Sequence, residues 1–188
     1  CNTMTTQIWV AEGTYLPSKT QSGSTDLADQ RDFTFYIDFD VEIYGGFPNM
    51  GNPTFEDRDW EIHPTTLSGD FMGNDEYITD ITDEDFPATG NDENAYTIIH
   101  TTNVSTTFLM DGFQMIGGNA DRPNTGFNPS SSGGGWFNDN SGVSNESNPT
   151  IANCTFSGNQ ANSNGGAIYN RANNGGSSNP TLTNCTFS

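Results

Sequence analysis

Basic residues are nearly missing from this sequence. Lys19 is the single lysine, and Arg31, Arg58, Arg122 and Arg171 are the arginines, against 24 acids, for a formal charge of −19. Phosphate neutralisation needs clustered Lys and Arg, so the balance argues against nucleic acid as a partner. It argues equally against docking on an anionic membrane surface. Long apolar runs are also lacking. None approaches the ~20 residues of a membrane-spanning helix, so no direct membrane insertion is expected. Hydrophobic residues make up only 31% of the 188, below the roughly 45–50% apolar usage of ordinary domains (a count that includes Gly). Low apolar content with high charge is the signature of disorder. The 13 Phe, 6 Tyr and 3 Trp argue otherwise, because they fall in short alternating runs. The chain therefore reads as folded, with many strands and much polar loop.

The charge is uneven. Residues 1–118 hold 21 acids against three bases, a sum of −18, while 119–188 sum to −1 and are rich in Asn, Gly and Ser. Two regions are expected: an acidic one, 1–118, and a neutral one, 119–188. The chain opens at Cys1 and stops inside a motif at Ser188, and so reads as a segment of a longer protein.

Internal repeats indicate the fold. Asn148–Ser157 reads NPTIANCTFS, and Asn179–Ser188 reads NPTLTNCTFS, 31 residues later with eight of ten positions identical. Gly133–Asn138 (GGGWFN) recurs as Gly165–Asn170 (GGAIYN), displaced by 32. A diverged relative, MDGFQMIGGNA at Met110–Ala120, aligns Phe113 with Cys154, Met115 with Phe156 and Gly117 with Gly158. Helical repeats of this length need long 3.6-period segments, and none is present. Leucine-rich repeats need a leucine ladder, which is also missing. A coil of parallel strands fits, each repeat making one turn that stacks about 4.8 Å from the next. The expected ladders set Cys154 over Cys185 and Phe156 over Phe187, all buried, with Trp136 and Ile168 forming the apolar ladder of the GGAIYN strand. Asn153 and Asn184 are expected to hydrogen-bond as an amide ladder at a bend.

The acidic region has the same grammar with less exact repeats. Gln7–Tyr15 reads as strand then turn, and Thr65–Asp70, Tyr96–Thr101 and Thr106–Ile116 read as further strands. Phe33–Tyr44 alternates so cleanly that it reads as one half-buried strand, with Phe33, Phe35, Ile37, Phe39, Val41 and Ile43 inward. Long polar insertions at 17–31, 47–63 and 71–95 separate these runs, and loops of that length usually carry function or move.

Phe156-Ser-Gly-Asn159 with Gly165-Gly-Ala-Ile168 resembles the FxxN and GGA(I/L/V) pair of polymorphic outer membrane protein repeats, found in chlamydial autotransporters and many bacterial surface proteins. Ile8–Ser18, Val41–Phe47, Arg58–Trp60, Pro64–Asp70 and Leu109–Ala120 resemble large secreted β-helix proteins of Bacteroidetes. The resemblance implies an all-β, right-handed parallel β-helix of the pectin-lyase-like kind, with long polar insertions. It also implies export, an extracellular or cell-surface location, and a capping segment ending near Cys1–Thr6.

Several candidate sites stand out. Nine acids and no base lie in 70–93; of these Asp75, Glu76, Asp80, Asp83, Glu84 and Asp85 are the candidate ligands of a calcium ion. The alternative is a solvated acidic loop. Asp38, Asp40 and Glu42, on one strand face about 6.5–7 Å apart, have the spacing of an inverting glycosidase pair, or are a solvated face. His63 and His100 are isolated, and no RxK or GHG motif is present. Cys154 and Cys185 are expected as free buried thiols rather than a disulfide, since stacking alone does not set the dihedral. Trp136, Phe137 and Tyr169 form either a sugar-stacking strip or, as the plainer reading, a core residue and two surface-packing ones. The leading expectation is a non-enzymatic β-helical stalk or adhesin segment. Its partners would be glycans, cell-surface proteins or copies of itself. The alternatives are a polysaccharide-active lyase or hydrolase whose catalytic residues lie mostly outside this segment, and cargo held by a secretion machine.

Overall fold

Short extended runs separated by Gly and Asn can lie flat only if the chain turns a corner at each break. A computed structural model describes residues 6–76, 90–123, 128–140, 146–173 and 175–188. Among them there are sixteen strands and no α-helix. No helix of the described residues is long and apolar enough to cross a membrane. In chain order the strands are β1 (Gln7–Ala11), β2 (Gly13–Tyr15), β3 (Phe35–Ile37), β4 (Glu42–Phe47), β5 (Thr65–Ser68), β6 (Ile99–Thr102), β7 (Leu109–Asp111) and β8 (Phe113–Ile116). They continue as β9 (Asn119–Ala120), β10 (Trp136–Asn140), β11 (Thr150–Ala152), β12 (Thr155–Ser157), β13 (Gln160–Ala161), β14 (Ile168–Ala172), β15 (Thr181–Thr183) and β16 (Thr186–Phe187).

Three parallel sheets take successive strands in rotation: β1-β4-β7-β11-β15, then β2-β5-β8-β12-β16, then β3-β6-β10-β14. Only a solenoid does this, so the fold is a parallel β-helix. Strands of both compositional regions pair in register, as in Thr155 with Gln114. The last coils have the period of the sequence repeats: Thr150 pairs with Thr181, and Trp136 with Ile168. Earlier coils are longer because the insertions loop out between strands.

The interior is a set of ladders. Ile8, Ile43, Met110, Ile151 and Leu182 stack along the first sheet. Leu67, Met115, Phe156 and Phe187 stack along the second, with the rings of Phe156 and Phe187 parallel at 5.1 Å. Phe35, Ile99, Trp136 and Ile168 stack along the third. Burial fades at both ends, so Ile8 and Phe187 are exposed and Cys185 is half-buried while Cys154 is buried. The expectation that Cys185 and Phe187 are buried is corrected accordingly, since each residue of a ladder is covered by the coil above and the coil below.

The corner between the first and second sheets needs a left-handed residue. Gly112, Asn153 and Asn184 supply it with φ of 80°, 51° and 50°. Asn adopts that conformation more readily than other side-chain-bearing residues. Asn184 Nδ2 donates to Asn153 Oδ1 at 2.8 Å, as the repeat suggests, and Asn153 Nδ2 donates to Asp111 Oδ1 at 2.8 Å. Arg58 Nη2 closes the row on the same carboxylate oxygen at 2.6 Å.

Two strands expected as continuous runs are broken by corners. Phe33–Tyr44 divides into β3 and β4, which belong to different sheets. Phe39 is exposed at the bend between them. Thr106–Ile116 divides into β7 and β8 at Gly112. Alternation continues around a corner, so periodicity alone cannot show where the chain turns.

Candidate functional site

The outward face of the third sheet carries a row of rings: Tyr36, His100, Phe137 and Tyr169 are neighbours in register. Neighbouring centroids lie 5.2, 5.2 and 5.5 Å apart, with His100 edge-on to both Tyr36 and Phe137. Phe137 is fully buried, which corrects the expectation that it packs on the surface. Two insertions cover this face. One contains the 3-10 helix Leu27–Asp32, started by Asp26, whose carboxylate accepts from Ala28 N at 3.0 Å. The other contributes Arg122 and Asn128–Ser132.

Two reciprocal ion pairs join these insertions. Arg31 Nη2 meets Asp121 Oδ1 at 2.8 Å, and Arg122 Nη2 meets Asp32 Oδ2 at 3.3 Å. Both guanidinium groups lie against the Tyr96 ring, 4.1 and 4.5 Å from its centroid. Arg31 Nε also donates to Asn94 O at 2.8 Å, and its Nη2 to Asn119 O at 3.0 Å. Arg31 is thereby fixed in place rather than waving in solvent.

Between the insertions and the sheet lies a cavity of about 400 Å³. Its walls present Arg31, Asp32 and Arg122, with the hydroxyls of Thr20, Ser22 and Ser130. His100 lines it and is 4% exposed. Its Nε2 has no hydrogen-bond partner. Burial lowers the imidazole pKa to about 4, so the ring is neutral at pH 7, with one nitrogen a donor and the other an acceptor.

The sequence-based candidates fall elsewhere. Asp75 is half-buried and Glu76 exposed. Asp75 Oδ2 accepts from Asn94 Nδ2 at 2.8 Å. The carboxylate of Asp70 accepts from the backbone N–H groups of Met72, Gly73, Asn74 and Asp75, so it closes a turn. Asp80, Asp83, Glu84 and Asp85 lie outside the described residues. Among the described residues no three acidic, His or Cys side chains converge as metal ligands do.

Asp38, Asp40 and Glu42 do not share a strand face, which corrects that expectation. Asp40 lies in the bend and accepts from Ser105 N, Ser105 Oγ and Thr107 Oγ1 at 2.7, 2.6 and 2.9 Å. Partial burial raises its pKa, but these bonds together outweigh burial and hold it below the ordinary value. Glu42 is held in β4, where it accepts from Gln7 Nε2 at 2.7 Å. His63 Nδ1 lies 3.1 Å from Glu12 Oε2, and that bond with the Asn49 N–H lowers the Glu12 pKa. Cys154 and Cys185 are free thiols.

The two arginine–aspartate pairs could not be seen in the sequence because their partners lie 90 positions apart, and His100 stood out there only as isolated. A signal was present: Arg31-Asp32 and Asp121-Arg122 are mirror-image pairs in a chain with only five bases.

Residues 153–171 match the Chlamydia polymorphic membrane protein repeat. The match spans the corner at Asn153, strands β12 and β13, and β14 up to Arg171. Within it Asn159 reaches the preceding coil, accepting from Gly118 N at 2.9 Å and donating to Met115 O at 2.8 Å. Gly165 takes φ of 58°, and a Cβ on Gly166 would stand 2.6 Å from Asn159 O. The FxxN and GGAI residues thus make one coil and fasten it to the coil before. No curated protein and no solved structure matches the chain.

Proposed function

We propose that this chain is part of a bacterial cell-surface protein, in which the parallel β-helix is a stiff rod that presents loop-built binding features and performs no covalent chemistry. The observation that carries this reading is the matched coil at 153–171, in a repeat family named for membrane proteins of Chlamydia. The matched stretch lies within one period of a stack whose ladders run on both sides of it. A rod of this kind gains length with few apolar residues, because each coil needs only one inward side chain per ladder position. This suits a chain with 31% hydrophobic residues.

The non-enzymatic reading draws support from the acids. Asp40, Asp70, Asp111 and Glu42 are occupied in hydrogen bonds that hold corners, turns and strands. A carboxylate held in that way is poorly placed to exchange a proton with a substrate.

Two measurements test the proposal. Protease or an impermeant biotin reagent applied to intact producing cells should reach the protein. A protein protected until the cells are lysed would overturn the surface reading. A panel of polysaccharides incubated with the full-length protein should show no new reducing ends or unsaturated products. Cleavage of any of them would replace presentation with catalysis.

A further inference from the structure

The cavity beside His100 is too specifically furnished to be packing space. We propose that it binds one neutral sugar ring, such as the end residue of a glycan. This goes beyond the surface-rod reading and stands or falls independently of it.

The volume of about 400 Å³ lies at the small end of ligand cavities, which run from about 300 to 1,000 Å³. It therefore suits a single ring better than an extended chain. The walls offer both kinds of hydrogen-bonding group. Arg31 and Arg122 donate and the Asp32 carboxylate accepts, while the hydroxyls of Thr20 and Ser22, which bond each other, and of Ser130, which donates to Asn128 Oδ1, keep lone pairs that accept. A sugar hydroxyl donates and accepts at once, so it can engage both. His100 adds the decisive feature. Its ring is 4% exposed and its Nε2 is without a partner. A buried polar atom left unpaired is costly, and because Nε2 has almost no accessible surface, a ligand hydroxyl relieves that cost by drawing the ring toward the cavity.

Charge excludes the other classes. An anion would have to compete with Asp121 and Asp32 for the two guanidinium groups they already hold, and would meet the field of a chain at −19. A cation would meet two guanidinium groups. An apolar ligand would strip water from the hydroxyls and charges without replacing its hydrogen bonds.

The test uses the 188-residue chain labelled with ¹⁵N, titrated with methyl glycosides of glucose, galactose, mannose and N-acetylglucosamine, and with glucuronate. The readout is the His100 ring ¹⁵N signal. At least one neutral glycoside should move that signal with a dissociation constant near ~1 mM, a weak affinity suited to one ring. Ser22→Trp, which fills the mouth from an exposed position, should weaken that binding by about tenfold or more. Asp32→Asn removes the acceptor and should weaken it by roughly fivefold, without weakening glucuronate. Ser22 is exposed and Asp32 half-buried in an ion pair, and circular dichroism would verify that both variants fold. Three results would each overturn the proposal: no movement of the His100 signal with any glycoside up to about 50 mM, binding equal in wild type and both variants, or a preference for glucuronate. Failure here with the protein still exposed on cells would leave the surface reading intact.

Discussion

Each of the four arginines is paired with an aspartate: Arg31 with Asp121, Arg58 with Asp111, Arg122 with Asp32 and Arg171 with Asp139. In a chain so short of bases, these residues serve to tie distant segments together. The histidine in the cavity has a different consequence. Its folded pKa of about 4 lies below the ~6.5 of an unfolded histidine. The unfolded state therefore binds the proton first as pH falls. The His100 contribution is complete above pH ~6.5 and is lost as pH falls toward 4. Urea unfolding should show roughly 2 kcal/mol less stability at pH 5 than at pH 7. His100→Phe, which keeps an aromatic ring between Tyr36 and Phe137, should remove most of that slope. An unchanged slope would mean that other groups set it. A second contrast concerns the thiols. Burial pushes the Cys154 thiol up to about 12, whereas Cys185 is half-buried. Native protein treated with iodoacetamide at pH 8 should label Cys185 more than about tenfold faster than Cys154, and urea should abolish the difference. Equal native rates would contradict the burial of Cys154.

Corners and close approaches govern the elements. Asn153 holds a left-handed φ of 51° and passes a hydrogen bond along the corner row. Asn153→Ala loses both and should cost about 1–2 kcal/mol. Asn153→Gly keeps the conformation and should cost less. Equal costs in chemical denaturation would show that the hydrogen bonds, lost in both variants, and not φ, dominate. Gly118 tests the fit between coils. A Cβ there would collide with the carbonyl of Gly134, whereas one on Gly175 meets nothing within 4 Å. Gly118→Ala should therefore destabilise by about 3 kcal/mol or more, and Gly175→Ala only by about 1 kcal/mol, for its positive φ. Similar losses in thermal melts would disprove the steric account. The element boundaries were only partly legible in the sequence. The repeats gave the register of the last coils, because identical residues stack on themselves. The break at 38–41 was hidden because alternation persists across a bend.

At the scale of the whole molecule, a charge of −19 works against compactness through self-repulsion. Raising NaCl from about 10 to 150 mM should raise the melting temperature, because the Debye length shortens from about 30 to 8 Å. A melting temperature unmoved or lowered by salt would mean that the acids are already balanced locally. The sequence by itself determined the coil. A 31-residue period, Asn and Gly at bends and one aromatic or aliphatic residue per inward position suffice for parallel stacking, since every coil repeats the same local choice. It also determined the Asn153–Asn184 row and the Phe156–Phe187 stack. The sequence could not show which face of each coil the insertions cover. That depends on where loops of unequal length fold back, and no period encodes it. Only the tertiary structure brought Arg31 and Asp32 to Asp121 and Arg122, buried Phe137 behind them, and left His100 at the wall of a polar cavity.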